Sequence, residues 1–296
     1  MTGDPVLAAV GGLFGLLFGS FLNVCISRWP SGQSVVRPRS RCPRCGGGIT
    51  ARDNVPVVSW LLLRGKCRHC GNPISAMYPA VELLTAIIWA WCVWHWGPGA
   101  EALKWALFAT ILLGIAMTDA REFIIPHEFS FGGLAIGVVF GFLGGLGTGF
   151  SAINGAIFGA GLVYLIGMLG EFAFRKEAMG GGDVAMMAMV GSFLGWQSVV
   201  VTIFAGAAVG VVLHLVGQVT RRRGGEAERA SAPAADPSAA PPLRPSVEDL
   251  TPDELRASGY LPFGVSLAIA AGLIALVTGP QPIVDWFANY ASLLGM

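Results

Sequence analysis

Long apolar segments dominate the chain, and shorter polar stretches separate them. A helix needs about 20 apolar residues to cross the hydrocarbon core of a bilayer. Segments of this length, or somewhat shorter, lie at 6–27, 80–96, 102–118, 129–147, 151–170, 184–195, 198–218 and 260–278. The pattern predicts an all-α polytopic membrane protein with about eight transmembrane helices, embedded in a lipid bilayer.

The composition supports a membrane protein and argues against a soluble one. Of the 296 residues, 54% are hydrophobic and 12% are charged, whereas soluble domains carry about 25% charged residues. An ordinary soluble enzyme and a wholly disordered chain are both excluded, because too much apolar surface requires burial.

The positions of lysine and arginine predict the orientation of the helices. Positive residues are enriched on the cytoplasmic side of a membrane. If residues 28–79 are cytoplasmic, eighteen of the nineteen Lys and Arg residues face the cytoplasm, and Lys104 alone lies on the other side. This arrangement predicts an even number of spans with both termini extracytoplasmic. Because no Lys or Arg precedes Arg28, we do not expect a cleaved signal peptide.

The polar stretches divide the chain into five parts. We predict a first transmembrane helix at 1–27, a cytoplasmic loop domain at 28–79, a transmembrane core at 80–220, a flexible cytoplasmic linker at 221–258, and a last transmembrane helix with an extracytoplasmic tail at 259–296. The linker is rich in Ala, Pro and Ser, a composition that cannot build a core.

Two Cys-x-x-Cys pairs lie in the cytoplasmic loop, at Cys42 and Cys45 and at Cys67 and Cys70. Paired thiolates at this spacing are typical of a structural zinc site, and four cysteines leave no coordination position open for a substrate. Disulfides are the alternative, but cytoplasmic thiols stay reduced. A basic zinc loop can also bind nucleic acid. Here the membrane orientation already accounts for the basic residues, so no nucleic-acid partner is expected.

Two aspartates lie at the edges of predicted spans, where a charge is costly unless it has a function. Asp119 ends the third span and Asp183 opens the sixth, directly after Gly180, Gly181 and Gly182. Two neighbouring carboxylates can share a proton and hydrolyse a peptide bond. The glycines leave room for a substrate backbone. The alternatives are helix-end charges, a helix cap at Asp183, or acidic groups of a transporter.

Seven sequence blocks together resemble the prepilin peptidases, also called type IV leader peptidases. The blocks are GSFLNVCISRWP (19–30), RSRCPRCGGGIT (39–50), DNVPVVSWLLLRGKCRHCGNPIS (53–75), YPAVELLTA (78–86), TDAREFIIP (118–126), GGGD (180–183) and LPFGVSLAIA (261–270). They occur in the order found in the family and cover nearly the whole chain.

The resemblance implies a bacterial inner-membrane aspartic endopeptidase of the GxGD type, with residues 80–220 as the peptidase core. Asp119 and Asp183 would be the catalytic pair. The substrates would be prepilins or pseudopilins of type IV pili or type II secretion, cleaved after a glycine at the cytoplasmic face. Family members with a four-cysteine loop also methylate the new N-terminus with S-adenosylmethionine, so this second activity is expected here.

The sequence contains no recognisable signature for a methyl-donor site. Glu82 lies in the YPAVEL block, and together with Asn23 and Arg28 it is a candidate for a substrate or methyl-donor site. The alternative is structural, with Glu82 as a hydrogen-bond partner of Asn23 or Arg28. The oligomeric state is not predicted.

Two positions depart from the family pattern. His127 stands where the family often has Asp or Asn, and Ala185 stands where it often has Lys. The 221–258 insert is also longer than expected.

Two other functions compete with this prediction. They are a presenilin-like intramembrane protease and a non-enzymatic transporter or assembly scaffold.

Overall fold

The computed structural model of the chain describes residues 3–175, 179–229 and 263–279. For residues 217–229 it describes the backbone alone. The helices in these ranges are α1 (Pro5–Arg28), α2 (Val58–Leu62), α3 (Met77–Trp96), α4 (Ala100–Glu122), α5 (His127–Leu143), α6 (Leu146–Phe174), α7 (Gly181–Leu194), α8 (Trp196–Arg229) and α9 (Phe263–Thr278). Two 3₁₀ turns lie at Trp29–Ser31 and Ala51–Asn54. The described chain is therefore mostly helical, as the apolar pattern predicts, with the largest non-helical part in the cytoplasmic loop.

Five of these helices are long and apolar enough to cross a membrane. They are α1 with the turn that follows it, α3, α4, α6 and the part of α8 up to Val216. The helices α5, α7 and α9 are apolar but have only 14 to 17 residues each, which is short for a single span. The structure thus gives five candidate spans by length and composition, and the count of about eight stays a prediction.

Helix boundaries differ from the predicted segments at two places. The predicted fourth segment, 129–147, passes through a turn, because α5 ends at Leu143 and α6 begins at Leu146. Gly145 in this turn has a φ of 125°, which breaks the helix. At the other place, α8 continues to Arg229, so residues 221–229 of the predicted linker are helical. No proline interrupts the helix before Pro233.

The rest of the predicted linker, at 230–258, and the predicted tail from 280 onward lie outside the described residues.

The helices pack around α7, which is buried along most of its length. Residues 185–193 of α7 are all buried, and α5 and α6 cover α7 on two sides. Phe193 of α7 stacks on Phe108 of α4, with ring centroids 4.4 Å apart. In the other half of the molecule α1 lies along α3, and α9 packs against α4 and α8. This packing holds α4, α7 and α9 in one bundle.

Candidate functional site

Asp119 lies near the C-terminal end of α4 and meets the start of α9. Its side chain is 5% exposed. The backbone N–H of Val265 donates a hydrogen bond of 2.8 Å to Asp119 Oδ2, and Gly264 lies so close that an added Cβ would approach the same oxygen to 2.7 Å. These contacts join positions almost 150 residues apart in sequence. The carboxylate is therefore held by the first turn of another helix.

Asp183 lies in the first turn of α7, whose N-terminal cap is Gly180. The Asp183 carboxylate turns back toward this cap, since a Cβ added at Gly180 would lie 3.8 Å from Asp183 Oδ2. Acidic side chains are favoured in a first helical turn. Asp183 Oδ1 is buried, and among the described residues no group hydrogen-bonds it. Buried polar atoms nearly always have a hydrogen-bond partner in folded proteins, so this oxygen is unusual.

The structure brings the two aspartates together at one end of the helix bundle. Ile125, in the turn that follows α4, connects the two positions. It lies against Gly182, which directly precedes Asp183, and against Gly264, which lies beside the Asp119 carboxylate. A Cβ added at Gly182 would approach Ile125 Cβ to 2.9 Å, and a Cβ added at Gly264 would approach Ile125 Cδ1 to 2.7 Å. Two residues on separate helices thus form one acidic site.

The two positions that depart from the family pattern lie differently with respect to this site. His127 is exposed at the start of α5, and its ring stacks on Phe131 with centroids 5.5 Å apart. Ala185 is 8% exposed and belongs to the packed part of α7. Neither residue adds a hydrogen bond to the aspartates among those described.

The four cysteines of the loop domain lie on two turns of the same construction. In each turn the N–H of the first cysteine bonds a carbonyl five residues later, Gly47 for Cys42 and Asn72 for Cys67. The glycine after the second cysteine of each pair has a φ near 70°, a conformation that L side chains rarely adopt. The repeated turn points both thiols of a pair to one side.

The two pairs converge on one point, as the prediction of a metal site requires. All four thiols are free, and their sulfur atoms lie within 4.8 Å of one another. Cys42 Sγ and Cys70 Sγ are 4.0 Å apart. Zn–S bonds of about 2.3 Å in a tetrahedron require sulfur separations of about 3.8 Å, so the cluster fits a zinc ion. His69 is not among the clustered groups.

An ion pair fastens the second cysteine turn to the rest of the loop domain. Arg68 donates from Nε and Nη2 to both oxygens of Asp53, at 2.6 to 3.0 Å. These hydrogen bonds, with the charge of Arg68, hold the pKa of Asp53 below its ordinary value. The contribution of the pair to stability is therefore present at neutral pH and is lost as the pH falls through that pKa.

A cavity of about 600 Å³ separates the loop domain from the ends of α1 and α3. Asn23 and Arg28 of α1 and Glu82 of α3 all line it. The three residues of the predicted substrate or methyl-donor site therefore face one space. Its volume falls in the range of about 300–1,000 Å³ that is usual for small-molecule pockets.

The hydrogen bonds of these three residues correct the structural alternative for Glu82. Glu82 Oε2 accepts a 2.7 Å hydrogen bond from the N–H of Val57. Asn23 instead donates to the carbonyl of Tyr78, and Arg28 donates to the carbonyl of Ser34. The reason is that the loop folds back so far that its own backbone reaches Glu82.

Val57 contacts Glu82 through an unusual backbone conformation. Its φ of 59° and ψ of −49° are rare for a β-branched residue, and surrounding contacts must hold such a conformation in place. The hydrogen bond to Glu82 is one of these contacts. Glu82 thus connects the loop domain to the membrane helices at the wall of the cavity.

Three contributors to the acidic site are not predicted by reasoning from the sequence. They are Ile125, Gly264 and Val265, which surround the two aspartates. The LPFGVSLAIA block, one of the seven blocks that resemble the family, covers the start of the last helix and was the available indication that this segment has a functional role. Its spatial relation to Asp119 depends on the packing of α9 against α4.

Two family descriptions match most of the chain. Residues 13–96 match the Bacterial Peptidase A24 N-terminal domain, and this range includes all four loop cysteines. Residues 106–215 match the Type IV leader peptidase family, and this range includes both aspartates. The two functional regions thus correspond to two matched domains.

Several curated proteins are similar to the chain over most of its length. A protein of Myxococcus xanthus named prepilin leader peptidase/N-methyltransferase is 39% identical over 81% of this chain and 71% of its own. Proteins of the same name from Pseudomonas aeruginosa and Aeromonas hydrophila are 32% and 34% identical, over 91% and 69% of this chain and 89% and 78% of their own. No solved structure matches the chain.

These similarities cover the helices that carry Asp119 and Asp183 and the loop that carries the cysteine cluster. The chain belongs to the type IV leader peptidase family and is a peptidase.

Proposed function

We propose that the protein is a membrane aspartic endopeptidase that removes the leader of type IV prepilins or pseudopilins. Cleavage follows a glycine at the cytoplasmic face, and N-methylation of the new N-terminus follows cleavage. The observation that carries the proposal is that the end of α4 with Asp119 and the start of α7 with Asp183 lie around the same residue, Ile125. The names of the relatives support both activities.

The chemistry requires one proton on the pair and one water molecule. Two close carboxylates do not both ionise readily, so one holds a proton. The ionised carboxylate takes a proton from water as the water oxygen attacks the scissile carbonyl carbon, and the protonated one donates to the carbonyl oxygen. When the C–N bond breaks, a proton passes to the amine. No covalent enzyme intermediate is needed.

The orientation of the helices follows from charge and from the shared end of the bundle. In the proposed topology α1, α3 to α9 cross the inner membrane eight times, with both termini extracytoplasmic. The end of α4 and the starts of α7 and α9 then all face the cytoplasm. This supports cleavage beside the apolar segment of the substrate, whereas a presenilin-like protease cleaves within it.

The cysteine cluster is proposed to be a structural zinc site. Four free thiols within 4.8 Å support this assignment, because four thiolates complete a tetrahedral shell. Cys42, Cys45, Cys67 and Cys70 would hold the ion. When bound, the ion supplies folding free energy to a loop domain with few buried residues of its own.

The cavity between the loop domain and the membrane helices is proposed to bind S-adenosylmethionine. When bound, this molecule supplies an electrophilic methyl group. Five arginines line the cavity: Arg28, Arg41, Arg44, Arg68 and Arg121. Such a surface attracts the carboxylate of an amino-acid-like ligand and repels the basic leader of a prepilin. Glu82 supplies a negative group for the cationic part of the ligand.

The proposal is tested by replacing each aspartate with asparagine in the full-length protein in membranes. A prepilin is added with labelled methyl donor, and the mass and N-terminus of the product are read. Wild type is expected to cleave after glycine and add one methyl group. Asp119→Asn and Asp183→Asn are expected to lose cleavage by about 100-fold or more.

Asp4→Asn is the matched control, because asparagine also caps a helix such as α1. It is expected to leave cleavage unchanged. Cleavage that survives either active-site substitution in folded protein contradicts the aspartic mechanism. Cleavage inside the apolar segment supports the presenilin-like alternative, and no cleavage by wild type supports a transporter or scaffold.

A further inference from the structure

The first turn of α9 touches the acidic site through its backbone. The N–H groups in the first turn of a helix have no acceptor within that helix. The N–H of Val265 donates to Asp119 Oδ2, 2.8 Å away. A side chain from α4 therefore caps the N-terminus of α9. A carboxylate in this place is stabilised in its charged form by the N–H groups and by the helix dipole.

Gly264 allows the approach because it has no side chain. A Cβ at this position would lie 2.7 Å from Asp119 Oδ2 and 2.7 Å from Ile125 Cδ1. Real Cβ atoms do not approach this closely, so the carboxylate, Ile125 or the start of α9 would have to move. The position of Asp119 therefore depends on α9, a helix that carries neither of the two aspartates.

The two aspartates differ in their hydrogen bonds. Asp119 receives the N–H of Val265 from another helix, whereas among the described residues no donor from another helix bonds Asp183. Asp183 Oδ1 is buried, and nothing in the described part of the chain bonds it. In a pair that shares one proton, the negative charge is favoured where the donors converge, and the proton is favoured on the oxygen without a donor.

We propose that the N-terminus of α9 is a positioning element of the peptidase, in which the N–H of Val265 and the bare face of Gly264 hold Asp119 as the ionised, water-activating carboxylate. This inference rests on the proposed function. It assigns the proton-donating role to Asp183. Val265 and Gly264 touch neither water nor substrate in this scheme and act only through Asp119.

A proline at position 265 tests the hydrogen bond directly. Val265→Pro removes the donor, and proline is tolerated in the first turn of a helix. Val265→Ala is the matched control, because it shortens the side chain and keeps the N–H. We expect Val265→Pro to lower kcat for prepilin cleavage about tenfold or more, with KM unchanged. Val265→Ala is expected to retain about tenfold more of the wild-type kcat than Val265→Pro, because it keeps the donor.

A second pair of variants tests the close approach of α9. Gly264→Ala is expected to lower kcat in the same way. Gly272→Ala is its control on the same helix, because a Cβ there meets nothing closer than Leu112 Cδ1 at 3.9 Å. The thermal unfolding midpoint of each variant is measured beside its kinetics. A loss of kcat at an unchanged midpoint and unchanged KM supports the positioning role.

The proposal is wrong if Val265→Pro cleaves as well as Val265→Ala. It is also wrong if the unfolding midpoint or KM changes together with kcat, because the start of α9 is then a structural support alone. Asp119→Asn in the same assay separates this inference from the function itself. If Asp119→Asn abolishes cleavage while the α9 variants do not, the peptidase proposal stands and only the role of α9 is rejected.

Discussion

Glu82 contacts two parts of the chain that are distant in sequence. Val57 of the loop domain donates to its carboxylate, and Gly19 of α1 packs against its backbone. At the scale of the residue, its neighbours explain why an acidic group is tolerated in an apolar helix, because buried polar groups require hydrogen bonds. Its place on the wall of the cavity leaves room for a second role in binding a cationic ligand.

Two substitutions at Glu82 separate these roles. Glutamine keeps an acceptor oxygen for Val57 but removes the charge, so we expect Glu82→Gln to fold and cleave normally and to transfer methyl groups about tenfold more slowly or worse. Glu82→Ala leaves the N–H of Val57 without its acceptor and is expected to lower the free energy of unfolding by about 1–3 kcal/mol. Methylation of an already cleaved pilin and chemical denaturation measure the two effects. Methyl transfer by Glu82→Gln at the wild-type rate would show that the charge is not used.

At the scale of the elements, α6 holds α7, the helix that carries Asp183. Gly155 of α6 and Gly191 of α7 face each other so closely that a Cβ on either one would collide with the carbonyl oxygen of the other. Small residues at such contacts allow membrane helices to pack backbone against backbone. The contact leaves no space for any side chain between α6 and α7.

Alanine at Gly155 is therefore expected to force α6 and α7 apart. Overpacking of this kind costs about 1–3 kcal/mol, and we expect a lower thermal unfolding midpoint in detergent for Gly155→Ala. The matched control on the same helix is Gly161→Ala, because a Cβ there meets nothing within 4 Å. The control is expected to be as stable as wild type or slightly more stable, since alanine favours a helix over glycine. Equal midpoints for the two variants would contradict the close contact.

The cysteine loop is an element whose fold is expected to depend on metal. Purified protein should contain about one zinc ion per chain. Cys42→Ser removes one of the four clustered thiols and should lower the zinc content, whereas Cys92→Ala alters a buried cysteine outside the cluster and should not. Elemental analysis of both variants measures this difference. Zinc retained in Cys42→Ser, or absent from wild type, would argue against the site.

At the scale of the whole molecule, the two ends of the helix bundle carry different kinds of side chains. The acidic site, the cysteine cluster and the arginine-lined cavity are all formed at the ends of α1 and α4 and the starts of α3, α7 and α9. Near the opposite end of α3 lie stacked aromatic rings, with Trp96 and Trp105 centroids 5.9 Å apart and Lys104 over the Trp105 ring. Aromatic residues of this kind are typical of a membrane–water interface.

The proposed orientation predicts which side of the membrane each end faces. Gly99 in the turn between α3 and α4 and Ser31 after α1 are both exposed. In intact spheroplasts, a membrane-impermeant thiol reagent should label Gly99→Cys, and it should label Ser31→Cys only after lysis. Wild type shows the labelling of the native cysteines and is the control. The reverse pattern would invert the topology and place the acidic site outside the cytoplasm.

Local patterns were enough to predict the chemistry of this chain. The apolar segments predicted a mostly helical membrane protein. A helix that lies in lipid requires a long segment of apolar side chains, and such a segment can be recognised in the sequence alone. The two Cys-x-x-Cys pairs predicted a four-sulfur cluster, since each pair forms its turn from adjacent residues. The type IV leader peptidase family was likewise indicated by short blocks of sequence. The aspartates and Glu82 were identified as candidates because a charge in an apolar segment is conspicuous.

The tertiary structure decided which distant residues meet, because such contacts depend on the packing of whole helices and leave no local pattern. Nothing near Asp119 in sequence indicates that Val265 donates to it, or that Gly264 must lack a side chain for this to happen. The structural alternative for Glu82 named Asn23 or Arg28 as its partner, whereas Val57 reaches it through the folded loop. The sequence by itself determined which groups are available for chemistry, and the packing of α4, α7 and α9 decided how those groups are arranged.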